Sequence, residues 1–239
     1  MNIAVIFAGG TGQRMNVTSR PKQFLELYGK PIIVYTIEHF QKSSLIDGII
    51  VVCIKDWIPY CLELVKKYNL NKVKRIVPGG RTGQESIYNG LKETLNQYSP
   101  ESIVLIHDGV RPIINEKIIA DNINCVIHNG SAITISPAIE TIILKQKNGY
   151  VGRIFDRSIV EVAKAPQCFF LKDIILNHEK AIRENKLNFV DSASLMQYYG
   201  TKLSTVLGST ENIKITTPID FYVFKAIIDA KENMQIIGL

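Results

Sequence analysis

The feature that most constrains this chain is an alternation. Short, nearly uninterrupted runs of β-branched and other apolar residues are separated by longer stretches with helix-like apolar spacing. Runs of the first kind occupy 3–7, 49–54, 73–77, 103–107 and 132–136. Each is too continuously apolar to be half-exposed, the pattern of strands covered on both faces of a parallel sheet. The longer stretches predict helices. One opens at Pro31 and runs to about residue 41, with Ile33, Ile37 and Phe40 facing a core. Others are expected over 56–68, over 82–98 and from a cap at Asn115 towards His128. Strands alternating with helices predict an α/β fold: a doubly wound, mostly parallel, Rossmann-like sheet. With 239 residues, 46% of them hydrophobic, the chain can bury a full core, and a single domain over 1–239 is expected.

After Ser136 the rhythm changes. Segments 142–145 and 150–155 flank Lys147-Asn148-Gly149, a hairpin-turn signal, so an antiparallel arm is expected over about 138–163. A helix over 171–184, a short helix over 191–199, a strand near 203–207 and a terminal helix from Pro218 complete the reading.

Several function classes fit poorly. The formal net charge of +6 comes from Lys and Arg interleaved with acids, which suits a solvated surface or an anionic-substrate site better than nucleic acid. No segment approaches the roughly 18 apolar residues of a membrane span. The opening MNIAVIFAGG lacks a basic leader, and Cys53, Cys61, Cys125 and Cys168 include no C-x-x-C pair, so a reducing cytoplasm is expected.

The first strand runs directly into Ala8-Gly9-Gly10-Thr11-Gly12-Gln13-Arg14-Met15. A glycine-rich turn at the carboxyl end of a parallel strand lies where open α/β sheets bind ligands, and glycines let backbone amides approach phosphate. A tight turn that binds nothing would also need glycine. The Walker ending Gly-Lys-Ser/Thr is absent, and Met15 stands where a dinucleotide fingerprint has its third glycine. What distinguishes the loop is Arg14, followed by Arg20-Pro21-Lys22-Gln23-Phe24, because cations beside a phosphate cradle can neutralise a triphosphate.

Together, AGGTGQRM and PKQFL resemble the opening of the cytidylyltransferases that act on methylerythritol phosphate and ribitol 5-phosphate. Further segments agree in order: Gly79-Gly80 leading to Glu85-Ser86-Ile87-Tyr88-Asn89-Gly90, then His107-Asp108-Gly109-Val110-Arg111-Pro112, Ala165-Pro166-Gln167, and Glu211-Asn212-Ile213-Lys214-Ile215-Thr216-Thr217-Pro218. These cover nearly the whole chain. The resemblance implies that Arg14, Lys22 and Lys214 contact CTP phosphates and stabilise charge in the reaction. It implies that Ala8, Gly9, Gly10, Gly12, Gly80 and Ser86, with Asp108, shape the nucleotide pocket. Asp108 would bind the Mg2+ carried by CTP, with Glu211 as a second acid. Asp108, Arg111, Thr141, Arg157 and Asp191 would meet the polyol phosphate, with Thr141 and Arg157 reaching from the arm of a homodimer into the neighbouring subunit.

Each assignment has a plainer alternative. The alternatives are that Lys22 and Lys214 are surface charges, Ser86 the start of a helical turn, Arg111 a brace for its loop, Arg157 half of an ion pair with Asp156 or a nearby acid of the hairpin, and Asp191 a helix cap. His107 reads as structural, because alternation along a strand turns it away from Asp108.

Two departures from the family pattern concern the nucleotide. Gly83 replaces a usual arginine, for which Arg81 is a candidate substitute, and Ala165 replaces the threonine before Pro166-Gln167. The acceptor is divided. The segment from His107 to Pro112 and Phe24 lean to the ribitol branch, whereas Asp156-Arg157-Ser158 and Asp191-Ser192-Ala193-Ser194 lean to the methylerythritol branch. Rival classes are an NAD-dependent oxidoreductase and a non-catalytic sugar-nucleotide sensor. Retention of Arg14, Lys22, Asp108 and Lys214 together counts against the sensor.

Overall fold

The computed structural model describes residues 1–9 and 20–237, with side chains described as far as Asn233. In chain order the elements are β1 (Asn2–Ala8), β2 (Glu26–Leu27), β3 (Lys30–Pro31), α1 (Ile32–Lys42), β4 (Gly48–Cys53), α2 (Ile58–Lys67), β5 (Val73–Pro78) and α3 (Gly83–Gln97). They continue with β6 (Ile103–Asp108), α4 (Glu116–Asn129), β7 (Ser131–Pro137), β8 (Ile143–Lys145), β9 (Val151–Ile154), β10 (Glu161–Phe170), α5 (Leu171–Arg183), α6 (Ser192–Tyr198), β11 (Thr205–Leu207) and α7 (Pro218–Ile237). The main sheet among these residues has the order β11-β7-β10-β6-β1-β4-β5.

Period-two alternation builds the two layers. On β1, Ala4, Ile6 and Ala8 join one core with Ile33, Ile37 and Phe40 of α1 and Ile119, Ile123 and Val126 of α4. The intervening Val5 faces the other way, into a second core with Ile87 and Leu91 of α3, Ile174 of α5 and Leu195 of α6. β6 divides in the same manner, Leu105 to the first core and Ile106 to the second. Helices therefore cover both faces, as the doubly wound expectation requires. The terminal helix α7 packs Phe224 against Leu27, Ile32, Val110 and Ile215 in a smaller third cluster.

Two elements depart from the expectation. β10 lies inside the sheet between β7 and β6, antiparallel to both, where no strand was expected. Its sequence hides it, because Lys164 and Pro166 interrupt the apolar run. The sheet accommodates Pro166, which has no N–H to donate, at a register shift between Ala163 and Gln167. β5 is the sheet edge and is partly exposed, so its apolar run does not mark a strand covered on both faces. The hairpin β8–β9 forms around Gly149, as the turn signal indicates.

Gly90 sets how closely α3 approaches the sheet. A Cβ added there would lie 2.6 Å from Val52 Cγ2 and 2.7 Å from Val5 Cγ1, too close for either to remain in place. Gly90→Ala should therefore destabilise the protein by about 1 kcal/mol net. The overpacking cost of about 1–3 kcal/mol exceeds the gain of about 1 kcal/mol from better helix propensity. Urea unfolding checks this, and unchanged or increased stability would mean that α3 shifts freely over the sheet.

Candidate active site

At the carboxyl ends of β1 and β6 the chain makes a cavity of about 320 Å³. Its wall includes Phe7, Asp108, Arg111, Lys164, Lys214 and Asp191. Asp108 is the last residue of β6 and is almost fully buried. One carboxylate oxygen accepts from Arg111 Nε at 2.8 Å, and the other pairs with Lys214 Nζ at 2.6 Å. Burial alone would raise the Asp108 carboxyl, but the Lys214 and Arg111 charges outweigh it and hold the group below the ordinary carboxylate range.

Local structure aims each partner. Arg111 sits in the tight turn after β6, where its N–H donates to the Asp108 carbonyl at 3.1 Å. Its guanidinium also donates to the Asn212 carbonyl at 2.8 Å, so Arg111 both braces the loop and lines the cavity. Lys214 is held through its neighbour: Ile215 is fully buried and its N–H donates to Val110 at 2.9 Å. Beyond it, Asp220 accepts from the Thr216 and Thr217 N–H groups at 2.8 and 2.7 Å, closing the segment onto the start of α7.

The glycine corner is equally close-packed. A Cβ on Gly9 would meet Ser86 Oγ at 3.1 Å, and one on Gly79 would meet the same atom at 3.1 Å and Gly9 Cα at 3.3 Å. Ser86 Oγ accepts from the Gly80 N–H at 3.0 Å and donates to the Thr82 carbonyl at 2.8 Å. Ser86 thus fastens the loop after β5 against the end of β1, beside Ala8 and Gly9. Lys22 lies in a single 3₁₀ turn, Lys22–Phe24, whose fully buried Gln23 donates to the Ala8 carbonyl at 2.6 Å. That bond ties the PKQF segment to the strand end from which the glycine loop departs. Gly10, Gly12 and Arg14 lie outside the described residues.

The remaining expected residues divide. Asp191 is brought to the cavity: it caps α6 through the Ser194 N–H at 2.8 Å and accepts from Gln167 Nε2 at 2.8 Å. Thr141 and Arg157 are exposed on the arm and do not line this cavity. Arg157 Nη1 donates to the Ile139 carbonyl at 3.1 Å, while Asp156 accepts from Ser158, so the alternative ion pair of Arg157 with Asp156 is not what holds this guanidinium. Glu211 is not brought to the cavity either; it is exposed and pairs with Lys231 Nζ at 3.2 Å. Arg81 pairs with Glu85 and lies on a neighbouring cavity, away from the Asp108 cluster. Gly83 does line the main cavity, with open space where a side chain would begin.

His107 is structural, as expected. It is fully buried, packs edge-on to Phe40 and hydrogen-bonds the Arg111 carbonyl through Nε2 at 3.1 Å; burial pushes it down to about 4, leaving it neutral.

The chain matches the model of the 2-C-methyl-D-erythritol 4-phosphate cytidylyltransferase (IspD) family over residues 2–230. This chain belongs to that family. Its members are CTP-dependent nucleotidyltransferases, which leaves no place for the dinucleotide oxidoreductase that the glycine loop also suggested. A ribitol-5-phosphate cytidylyltransferase of Vibrio parahaemolyticus is 51% identical over the full length of both chains, and one of Streptococcus agalactiae is 50% identical over the same extent. A 2-C-methyl-D-erythritol 4-phosphate cytidylyltransferase of Clostridium acetobutylicum is 41% identical, covering 98% of this chain and all of that one. Among solved structures, 4-diphosphocytidyl-2C-methyl-D-erythritol synthase from Anaerococcus prevotii superposes with a TM-score of 0.81 at 29% identity, covering 95% of this chain and 96% of that one.

Within this cytidylyltransferase frame, reasoning from sequence missed Gln23, Lys164 and Asn212. Asn212 is fully buried, donates to the Ala165 carbonyl at 2.7 Å and offers its own carbonyl to Arg111. The available signal for Gln23 and Asn212 was their place inside the motifs. For Lys164 it was a lysine set between two alanines.

Asp108→Asn keeps the shape and an acceptor but removes the charge facing Arg111. It should cost about 2 kcal/mol, the range for hydrogen bonds to charged groups. Because the folded carboxyl titrates lower than the unfolded one, its contribution is present above the ordinary carboxylate value of about 3.9. That contribution is lost as pH falls through the lower folded value. Denaturant unfolding from pH 7 downward should therefore show the gap between wild type and Asp108→Asn narrowing only in strong acid. A gap independent of pH would contradict the ionised assignment.

Proposed function

We propose that the chain transfers CMP from CTP to D-ribitol 5-phosphate, giving CDP-ribitol and pyrophosphate. The observation that carries the reading is the convergence of Arg111, Lys214 and an ionised Asp108 in one cavity beside the Gly9 and Gly79 corner. Identities of 51% and 50% to proteins named for ribitol 5-phosphate, against 41% to one named for methylerythritol phosphate, favour the ribitol acceptor.

In this reading an oxygen of the acceptor phosphate attacks the α-phosphorus of CTP. A new P–O bond forms, the bond to the α–β bridging oxygen breaks, and pyrophosphate leaves. A phosphate monoester with a second pKa of about 6 is largely dianionic at neutral pH. It needs no general base, and the work of the site is to stabilise negative charge. Arg14, Lys22 and Lys214 supply that charge at the CTP phosphates. The glycine loop and the corner built by Gly80 and Ser86 hold the nucleotide.

An Mg2+ ion fits this donor set. Magnesium is ordinarily held by one or two carboxylates together with substrate phosphates, and Asp108 is ionised at the strand end nearest the phosphate site. When bound it would offset charge on the transferring phosphate. Asp108 would then exchange its contact with Lys214 for the ion, freeing the ammonium for phosphate.

A homodimer through the arm belongs to the same reading. The arm leaves Ile139, Leu144, Tyr150, Val151, Ile154 and Ile159 more than half exposed, an apolar surface that a monomer would hold in water. Across such an interface Thr141 and Arg157 would meet the partner's acceptor phosphate. A cytoplasmic setting accords with four free cysteines, and no helix among the described residues is long and apolar enough to cross a membrane.

Incubation with CTP, Mg2+ and a panel of polyol phosphates, followed by pyrophosphate release, tests donor and acceptor together. Ribitol 5-phosphate should give the highest kcat/KM; preference for 2-C-methyl-D-erythritol 4-phosphate would assign the other branch, and no turnover would favour a sensor. Lys22→Ala should lower kcat by at least about 10²-fold, the loss from removing one preorganised charge stabiliser. Arg157→Ala should raise the acceptor KM while sparing CTP, and an unchanged acceptor KM would remove the arm from the site.

A further inference from the structure

Lys164 stands out among the charged groups of the cavity. Arg111 and Lys214 both spend their charge on Asp108. Lys164 has no carboxylate partner among the described residues; its ammonium donates only to the Thr210 carbonyl at 3.0 Å and the Asn212 carbonyl at 3.4 Å. The Asn212 carbonyl is also the acceptor for Arg111 Nη1 at 2.8 Å, so two cationic heads converge on one neutral oxygen. The two heads repel, and Asp108 offsets the Arg111 charge but not that of Lys164, so the arrangement lowers its energy when a further anion enters. Burial, and then the Arg111 charge, lower the proton affinity of this lysine, as its partly desolvated, positive setting requires.

Topology says which anion. β6 divides the cavity. β1, its glycine corner, β4, β5 and the start of α3 lie on one side. β10 lies on the other, followed beyond it by β7, and carries Lys164 together with Gln167, the partner of Asp191. CTP, in the reading above, takes the glycine side. Across the shared Asp108 border the remaining anionic reactant is the phosphate monoester. The cavity wall carries Arg111, Lys164 and Lys214 against Asp108 and Asp191, and Lys164 is the cation with no carboxylate partner among the described residues, an excess positive charge that suits an incoming anion.

We propose that Lys164, acting in the same chain as Asp108, binds the phosphate of the acceptor polyol and helps set the enzyme's affinity for it. This rests on the cytidylyltransferase reading with a polyol phosphate acceptor. It adds a second cation of the catalytic subunit, beside Arg111, to the one assigned to the partner's arm.

Three variants separate charge from tethering, because Lys164 also ties down the 210–212 loop. Lys164→Gln retains a donor for the two carbonyls without the charge, Lys164→Met retains neither, and Lys164→Arg retains charge. Loss of a charge-assisted contact should raise the KM for ribitol 5-phosphate by about ten- to hundredfold in the Gln and Met variants. The KM for CTP and kcat at saturating acceptor should stay within about twofold, and the Arg variant should recover most of the acceptor affinity. An unchanged acceptor KM in Lys164→Met overturns the proposal. So does a Gln variant that behaves as wild type, or a parallel rise of both KM values with a lowered Tm, since each marks a structural tether. Calorimetric titration with inorganic phosphate reads the same contact without turnover, and its Kd should weaken by a similar factor in the Gln and Met variants. Failure of the wider reading is separately visible as wild-type protein that uses no polyol phosphate. Phosphate binding that is indifferent to Lys164 would defeat this proposal even if turnover is observed.

Discussion

The Asp108 carboxylate is the junction on which the site depends. It closes the central strand β6, and its two oxygens hold cations delivered by separate parts of the chain, one from the turn that follows and one from the segment before the terminal helix. In a buried setting such a carboxylate is stable only because those charges outweigh its desolvation. The dependence is mutual, since Arg111 is itself largely buried and has its other contact in the Asn212 carbonyl. The same interaction that stores positive charge at the cavity keeps it from being a repulsive cluster while no anionic substrate is present. A phosphate or a metal ion arriving at Asp108 would redistribute existing contacts, and little new structure would have to form.

That junction is possible because of the order of strands. Parallel β1 and β6 end side by side, with Phe7 in register with Asp108, so the glycine corner and the carboxylate open towards one cavity. The neighbour on the other flank is antiparallel, and its register shift between Ala163 and Gln167 falls beside the cavity. A bulge re-aims side chains, and this one sets Lys164, Ala165 and Gln167 along the wall. The departure from a purely parallel sheet therefore supplies half of the site.

This accounts for what could be read from sequence. The parallel strands and their helices were legible because each is a continuous apolar run or a clear helical repeat, and Thr82 and Asn115 cap α3 and α4 through the N–H groups of Glu85 and Ile118. The arm was legible from one turn signal. β10 was not, because a strand interrupted by Lys164 and Pro166 has neither continuity nor alternation, and its strand character comes from pairing with β6 and β7. In the site, motif residues at strand ends were legible, since topology alone places them. Gln23 and Asn212 act through contacts to Ala8 and Ala165, between segments distant in the chain, and no local pattern announces such contacts.

The two departures from the family pattern acquire a physical meaning beside Lys164. Gly83 leaves open space at the start of α3, where an arginine is usual, and Arg81 turns to Glu85 on a neighbouring cavity. On the glycine side, the described corner is held by the Gly80 N–H donating to Ser86 Oγ at 3.0 Å. Across β6 the wall carries an additional lysine, Lys164, followed in the chain by Ala165. β10 thus adds a cation to the wall on the far side of β6 from the glycine corner. In the proposed reaction both substrates are anions: the nucleotide would meet the glycine corner together with Arg14, Lys22 and Lys214, and the polyol phosphate would neutralise the charge of Lys164, which has no carboxylate partner among the described residues.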